Sequence, residues 1–358
     1  MTPAGPEPDM SARLVVGTYA RNGGAGLCPL YPGADGWSPG PAYAGAQNAS
    51  FGTYSGRHGL LYLVDEDDAT IAAFRYAGDA WDCLARLPAG GEQPCYVALD
   101  ADETCLAVAN YGSGSVALFG LDPETGLPLT PLAIRPNSGK GPVAERQEGP
   151  HAHCACFSPD RRWLYHVDLG TDEILAHPFD ADRLSLGEAR LAYPAPAGSG
   201  PRHLVFHPAR PLALLASELA STLTFLEVGD GRLKARATVR TLPDSFQGES
   251  LVGHVSLGDA GRRVYVTNRG HDSIAVFAWK PDGLHLLQHI DSRGASPRAF
   301  ALLEAERRLI VANEEAGSVA IFAVEADGRL VESGPTLSVP GAVFPIVVAQ
   351  RNEDRGGQ

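Results

Sequence analysis

The stretch PCYVALDADETCLAVANYGSGSVALF (residues 94–119) decides the fold of this chain. It begins with a proline and contains three apolar runs of strand length, separated by polar turns. The same order returns in PRHLVFHPARPLALLASELASTLTFLEV (residues 201–228) and PRAFALLEAERRLIVANEEAGSVAIFAV (residues 297–324). A fourth, weaker run follows each copy. Short β-branched and aromatic runs between turn residues are typical of β-strands and not of amphipathic helices. Each copy is therefore predicted to be a small antiparallel sheet.

The phenylalanine that ends the third run measures the period of this repeat. It recurs at intervals of 45 to 60 residues, at Phe74, Phe119, Phe179, Phe225, Phe277 and Phe322. Four short strands in roughly 40–50 residues are the signature of a β-propeller blade. Six whole blades are predicted to begin near Ser50, Pro94, His151, Pro201, Gly253 and Pro297.

The two ends of the chain supply a seventh blade. Residues 342–350 (AVFPIVVAQ) have the pattern of an innermost strand, and residues 12–44 contain three further strands. Pairing the two ends closes the ring and leaves no innermost strand unpaired. We predict an all-β, seven-bladed β-propeller of four antiparallel strands per blade over residues 12–351. Residues 1–11 are predicted to be a disordered tail, and residues 352–358 a frayed end.

Composition restricts the classes of partner. The 358 residues have a formal net charge of −13, which argues against nucleic acid, because a phosphate backbone requires a basic face. The sequence contains no apolar run of 18 residues and no basic N-terminal region followed by an apolar segment. We therefore expect neither a membrane partner nor a signal peptide. The expectation is a cytoplasmic protein that is a monomer or a weak homo-oligomer.

The six cysteines do not have the spacing of a zinc site. Cys154 and Cys156 are two residues apart and are predicted to lie on one face of a strand. Structural zinc sites usually use CxxC-type pairs, which the sequence lacks. We expect reduced, mostly buried thiols that pack as small hydrophobic residues. No metal or other cofactor is predicted.

The geometry of a propeller predicts where polar side chains converge. In each blade the first strand begins, and the second strand ends, on the same face beside the central channel. The starts of first strands supply His151, His153, Arg202, His203 and Arg298, and the ends of second strands supply Glu218, Arg269 and His271. One mouth of the channel is therefore predicted to be the functional site.

These residue types suit acid–base chemistry on an anionic substrate. We predict that His153, Glu218 and Arg269 are catalytic, because a neutral histidine or a carboxylate accepts a proton from water and an arginine stabilises an oxyanion. The predicted substrate-binding residues are His151, Arg202, His203, His271 and Arg298, since guanidinium groups bind phosphate or carboxylate. Burial of Glu218 between apolar runs is expected to raise its pKa and suit a base. Alternatively, Glu218 is the structural partner of an arginine.

Several other polar residues have a structural interpretation. Asp65, Asn110, Asp168 and Asn313 end second strands, where short polar side chains bond to nearby backbone and stabilise turns. His166 and His207 lie within strands and are predicted to be packing residues.

The connection from Arg135 to Pro150 is the longest interruption of the repeat. It is predicted to reach the same face as the site residues, where it could act as a lid.

Five segments resemble the lactonase family of seven-bladed propellers. They are ERQEGPHAH (145–153), DLGTDEI (168–174), GPRHLVFHP (200–208), SELAS (217–221) and NRGHDSI (268–274). That family includes the propeller-type bacterial 6-phosphogluconolactonases and is similar to the fungal carboxymuconate-lactonizing enzyme. The resemblance implies a channel-mouth site lined by His151, His153, Arg202, Glu218 and Arg269. QNASF (47–51) and VDEDDAT (64–70) depart from the family pattern.

Three functions are therefore considered. The first is metal-independent hydrolysis of a small anionic lactone, with 6-phosphoglucono-1,5-lactone as the expected substrate. The second is cycloisomerisation of an unsaturated, muconate-type diacid to a lactone. The third is a non-catalytic propeller that binds a protein or peptide, because a fold alone does not determine function.

Overall fold

A computed structural model describes residues 12–33, 36–77 and 80–349, and the predicted tails at residues 1–11 and 352–358 lie outside them. The strands of the described residues form seven antiparallel sheets, which confirms the predicted seven-bladed β-propeller. Within the described residues, the helical part is limited to two short 3₁₀ turns, Ala20–Asn22 and Asp259–Gly261. No helix of the described part is long and apolar enough to cross a membrane.

The first three blades contain eleven strands from the N-terminal part of the chain and one from the C-terminus. Blade 1 consists of β1 (Ala12–Thr18), β2 (Cys28–Gly33), β3 (Gly36–Pro39) and β30 (Ala342–Ala349). Blade 2 consists of β4 (Ala49–Ser55), β5 (Leu60–Asp65), β6 (Thr70–Ala77) and β7 (Ala80–Pro88). Blade 3 consists of β8 (Pro94–Leu99), β9 (Cys105–Asn110), β10 (Ser115–Leu121) and β11 (Pro128–Pro136).

In two of the remaining blades the outermost strand is split into two short pieces. Blade 4 consists of β12 (Ala152–Phe157), β13 (Trp163–Asp168), β14 (Glu173–Asp180), β15 (Ser185–Leu186) and β16 (Arg190–Pro194). Blade 5 consists of β17 (Pro201–Phe206), β18 (Leu212–Ser217), β19 (Thr222–Val228) and β20 (Leu233–Arg240). Blade 6 consists of β21 (Leu251–Gly258), β22 (Arg263–Arg269), β23 (Ser273–Lys280) and β24 (Gly283–Asp291). Blade 7 consists of β25 (Pro297–Leu303), β26 (Arg308–Asn313), β27 (Ser318–Val324), β28 (Leu330–Glu332) and β29 (Leu337–Ser338).

The apolar core lies between neighbouring blades. One cluster joins Tyr62 and Val64 of blade 2 to Val97, Leu106 and Phe119 of blade 3, and similar clusters recur around the ring. The second strands β5, β9 and β13 are buried along their whole length, because both faces of each sheet pack against a neighbour. This explains why the second apolar run of each repeat shows no alternation of polar and apolar residues.

Pairing of the two ends closes the ring. Strand β1 runs antiparallel to β30, from Ala12 opposite Ala349 to Thr18 opposite Ala342. The innermost strands β30, β4, β8, β12, β17, β21 and β25 each contact the next one around the axis. The predicted closing blade, with three outer strands from the N-terminus and one inner strand from the C-terminus, is therefore confirmed.

The polar residues at the ends of second strands have the structural role that was predicted for them. Asn110 donates to the carbonyl of Ala89, and Asn313 donates to the carbonyl of Ser292. The carboxylate of Asp65 accepts two backbone N–H groups of its own turn. The carboxylate of Asp168 accepts from the backbone of His151 and Thr171.

The two histidines predicted to be packing residues are both buried. His166 lies parallel to His177, with 6.2 Å between ring centroids, and His207 meets the ring of Trp279 edge-on at 5.0 Å.

A β-bulge recurs where the innermost strand of each described blade begins. In blade 4 Ala152 pairs with Asp168 and Cys154 with Val167, so His153 has no partner. In six of the seven blades the shift leaves one residue of the innermost strand without a pairing partner, namely Ser50, Cys95, His153, Arg202, Arg298 and Val343. In the remaining blade, blade 6, the irregular stretch covers Gly253 and His254. A bulge re-aims the side chain of its extra residue, which places these residues at equivalent points around the axis.

The close approach of blades 1 and 2 generates a stability prediction. A Cβ added at Gly17 in β1 would collide with the carbonyl of Ala49 in β4, whereas one added at Gly56 would meet no atom. Gly17→Ala is therefore expected to lower the free energy of unfolding by about 1–3 kcal/mol, the usual cost of overpacking. Thermal and denaturant unfolding measure this change. Gly56→Ala is the matched control, and equal stability of the two variants would contradict the prediction.

Candidate active site at the channel mouth

Two equivalent positions of each blade build the site. The first is the bulge residue of the innermost strand, which supplies Cys95, His153, Arg202 and Arg298. The second is the last residue of the second strand or the one that follows it, which supplies Tyr19, Glu66, Tyr111, Glu218, Arg269 and Glu314. Because neighbouring innermost strands contact each other, residues far apart in sequence meet at one mouth of the channel.

Eight of these ten side chains, all except Tyr19 and Glu314, line a polar cavity of about 290 Å³. This volume is just below the usual range for small-molecule sites, roughly 300–1,000 Å³. The lining residues are Arg21, Glu66, Asp67, Gln93, Cys95, Tyr111, Arg146, His153, Arg202, Glu218, Arg269 and Arg298.

Glu218 is the centre of one half of the cavity. Its side chain is only 2% exposed, and three guanidinium groups bind it. Arg146 donates to Oε1 at 2.6 Å, while Arg202 and Arg269 bind Oε2 at 2.5 and 3.0 Å. A buried carboxylate is stable only with such partners, so this cluster is mutually dependent.

The pKa of Glu218 differs from the expectation based on burial. Burial does act to raise this pKa, but the charges of Arg269, Arg202 and Arg146 outweigh it and hold the pKa well below its usual value. The prediction of a raised pKa is therefore wrong, because the sequence does not show how many cations surround the carboxylate. Glu218 does pair with arginine, and this pairing is compatible with both predicted roles, base and structural partner.

His153 lies beside this cluster in the neutral form. Burial lowers its pKa well below the usual value, and the charge of Arg202 lowers it further. Its Nε2 atom is 3.9 Å from Oε2 of Glu218 and accepts a hydrogen bond from Nη1 of Arg202. The lone pair of Nε2 is thus already occupied, which makes His153 a poor proton acceptor in this arrangement.

Arg269 and Arg202 are also fixed by backbone. Arg269 donates to the carbonyl of Val252 at 3.1 Å, and Nε of Arg202 donates to the carbonyl of Gly253. Burial lowers the pKa of Arg269 to about 10, which still leaves it charged at neutral pH. Both guanidinium groups are therefore positive charges with fixed orientation.

The other half of the cavity contains carboxylates around two arginines, Arg298 and Arg21, and Arg21 lies 3.8 Å from both Asp67 and Glu314. Arg298 lies 3.4 Å from both Glu66 and Glu314, and the hydroxyl of Tyr19 donates to Glu66 at 2.7 Å. Arg21 covers the ring of Tyr19 at 3.7 Å. Three carboxylates thus face two arginines on this side, whereas three arginines face one carboxylate around Glu218, so the cavity is electrostatically asymmetric.

The long connection supplies Arg146, a site residue that the sequence analysis did not single out. The connection predicted from Arg135 to Pro150 joins β11 to β12, and it reaches the same face as the site residues, because Arg146 contacts Glu218. Buried Gln147 anchors it by donating to the carbonyl of Leu169 at 2.8 Å and accepting from the N–H of Val143. The segment ERQEGPHAH includes Arg146, so the resemblance pointed to this part of the chain. The direction of the Arg146 side chain could not be predicted, because a loop has no strand register.

Three predicted substrate-binding histidines do not line the cavity. His151 is nearly buried and stacks on Tyr111, with 4.3 Å between ring centroids. His203 follows the bulge residue Arg202 and therefore points deeper into the channel, where it meets His153 and His254. His271 lies in the turn after β22, bonded to Ser273 and packed against Phe246.

The structure thus brings together five of the eight predicted site residues. They are His153, Arg202, Glu218, Arg269 and Arg298.

Aromatic rings fill the axis beyond His203. Phe51 stacks on Tyr96 at 4.2 Å and packs against Phe344 at 4.3 Å. His254 and Phe300 extend this layer toward the opposite face. These rings pack below the polar cavity, on the side of His203 and His254.

The donor atoms of the site suit anions more than cations. In the described part of the chain no group of three or more His, Cys, Asp or Glu side chains is arranged to hold a metal ion. The six cysteines are free thiols, as expected, and Cys95 contacts Nδ1 of His153 at 3.8 Å.

The buried histidines make stability depend on pH. Burial, followed by the charge of Arg202, lowers the pKa of His203 well below 6.5. The unfolded chain takes up a proton on His203 below about pH 6.5 and the folded chain does not, so acidification favours unfolding.

The free energy of unfolding is expected to fall between pH 6 and pH 5, and this fall should be about 1 kcal/mol smaller in His203→Gln than in the wild type. Denaturant titrations at pH 7, 6 and 5 measure this slope. An unchanged slope in His203→Gln would show that folded His203 titrates normally.

Comparisons with known proteins agree with the seven-bladed fold. The seven-bladed β-propeller lactonase family matches residues 13–348. A relative from Bacillus subtilis named 6-phosphogluconolactonase is 31% identical over 344 residues, which cover 93% of this chain and 96% of the relative.

Two solved structures have the same fold over nearly the whole chain. A Lactobacillus plantarum protein is 30% identical with a TM-score of 0.85, covering 94% of this chain and 98% of its own. A periplasmic gluconolactonase from Pseudomonas aeruginosa is 27% identical with a TM-score of 0.86, and the match covers 94% of this chain and 99% of that protein. The chain is a lactone-hydrolysing enzyme and belongs to the lactonase family of seven-bladed β-propellers.

Proposed function

We propose that this enzyme hydrolyses 6-phosphoglucono-1,5-lactone to 6-phosphogluconate. The observation that carries the proposal is the convergence of Arg146, Arg202 and Arg269 on one carboxylate at the channel mouth. An excess of guanidinium groups favours a substrate with a phosphate group, because arginine binds phosphate through two hydrogen bonds. The name of the Bacillus subtilis relative supports the same substrate.

The arrangement supports the following reaction. The oxygen of a water molecule bonds to the lactone carbonyl carbon while Glu218 accepts a proton from that water. Arg202 and Arg269 stabilise the negative charge that develops on the carbonyl oxygen, which in catalysis is usually a large contribution. The bond between the carbonyl carbon and the ring oxygen then breaks, and the ring oxygen takes the proton to become a hydroxyl group.

Glu218 is a better candidate for the base than His153. The lone pair of His153 Nε2 already accepts from Arg202, whereas Oε1 of Glu218 is bonded to Arg146 from the surface loop. The low pKa of Glu218 ensures that it is ionised at neutral pH. Its basicity increases whenever a substrate anion draws one of the surrounding arginines away, because their charges lower the pKa.

The direct test is an assay of purified protein on 6-phosphoglucono-1,5-lactone, corrected for spontaneous hydrolysis. Turnover is expected to persist with EDTA, since guanidinium groups supply the positive charge. Loss of activity on chelation would contradict the metal-independent mechanism, and failure to hydrolyse any aldonolactone would contradict the proposal. Turnover of a carboxymuconate instead would favour the cycloisomerase, and the absence of both activities would favour a binding propeller.

Glu218→Gln tests the assignment of the base. The amide retains the shape of the side chain but cannot take the proton, so kcat is expected to fall about 100-fold or more. Glu188→Gln, at an exposed position of blade 4, is the control and should leave kcat unchanged. Circular dichroism checks that both variants fold. If folded Glu218→Gln keeps its kcat within about threefold of the wild type, another group is the base.

A further inference from the structure

Arg146 differs from the other arginines that bind Glu218. Its side chain is 34% exposed, whereas those of Arg202 and Arg269 are 5% and 13% exposed. It binds Oε1, while the other two bind Oε2. Arg146 can therefore exchange Glu218 for another anion while Arg202 and Arg269 keep the carboxylate paired.

Arg146 also stands between two cavities. The cavity at the channel mouth is joined on this side by a groove of about 770 Å³, and Arg146 and Arg269 line both. The groove continues along Ser221, Arg240 and Ser250 between blades 5 and 6. A substrate group that extends out of the smaller cavity on this side would pass Arg146 first.

The charge asymmetry determines which end of a phosphorylated lactone lies here. At the opposite side the three carboxylates of Glu66, Asp67 and Glu314 outnumber the two arginines, Arg21 and Arg298. The excess negative charge repels a phosphate, whereas carboxylates accept hydrogen bonds from sugar hydroxyls. Around Glu218 the cations are in excess. The phosphate is therefore favoured on the side of Arg146 and Arg269, with the hydroxyl groups on the side of Glu66.

We propose, on the basis of the proposed function, that Arg146 binds the phosphate group of the substrate and leaves Oε1 of Glu218 when it does so. Arg146 is then the residue that distinguishes phosphorylated from unphosphorylated lactones. Its departure leaves Oε1 free to accept the proton of the attacking water. Binding of a remote group thus contributes to the chemical step, as enzymes commonly arrange.

The experiment compares two substrates and three variants. The rates of 6-phosphoglucono-1,5-lactone and glucono-1,5-lactone hydrolysis are measured for the wild type, Arg146→Gln, Arg146→Lys and Lys140→Gln. Lys140 is exposed on the same loop, so Lys140→Gln removes the same charge without touching the cavity and serves as the control.

Arg146→Gln is expected to lower kcat/KM for the phosphorylated lactone roughly 10- to 100-fold, the loss of a charge-assisted hydrogen bond. For the unphosphorylated lactone kcat/KM should stay within about threefold of the wild type or rise, because Oε1 is released. Arg146→Lys should recover part of the loss. An equal loss on both substrates, or no loss on either, would overturn the proposal.

A binding measurement separates this inference from the proposed function. Calorimetry with 6-phosphogluconate and with inorganic phosphate is performed on the same four proteins. If the wild type hydrolyses neither lactone, the proposed function fails. The inference then stands if Arg146→Gln binds these anions at least tenfold more weakly than Lys140→Gln does, and fails if the two variants bind equally. Matching melting temperatures for these two variants exclude a general loss of structure.

Discussion

Pairing of β1 with β30 is the constraint on which the rest of the molecule depends. A blade of four strands buries its two faces only against neighbours, and the first and last blades acquire those neighbours only when the ring closes. Closure also brings the innermost strands into mutual contact around the axis. Residues more than a hundred positions apart, such as Glu66 and Arg298, can then form an ion pair at one mouth of the channel.

The bulges at the starts of the innermost strands direct several polar side chains into the cavity at the channel mouth. A regular strand would alternate its side chains between the two blade faces, where they would join the apolar core. The extra residue of the bulge escapes this alternation, so that His153, Arg202 and Arg298 face the cavity while their neighbours pack. Polar side chains are thus tolerated next to fully buried strands, because each has an ionic or hydrogen-bonding partner across the axis.

Burial of the ionic cluster around Glu218 costs free energy, and the cluster gives the cavity a local excess of positive charge. Three guanidinium groups on one carboxylate leave positive charge unmatched in a partly dry cavity, where an anion is attracted more strongly than in water. The second carboxylate cluster around Arg298 gives the cavity an opposite side with many hydrogen-bond acceptors. The proposed substrate, a lactone of a polyhydroxy acid with one anionic end, has groups complementary to both sides.

The period of the repeat and its strand-length runs were sufficient by themselves to determine seven blades, their order and the closing of the ring by both ends. They also determined which two positions of each blade meet at the channel, because a four-stranded blade leaves little choice about where its first strand begins and its second ends. The sequence could not determine which of those side chains point inward, since a one-residue bulge separates Arg202, in the cavity, from His203, beneath it. Only the tertiary structure decided that Glu218 has a lowered pKa and that Arg146 reaches it. The pKa of a carboxylate depends on charges from distant segments of the chain. One of these segments, the loop that carries Arg146, has no strand register from which its position could be predicted.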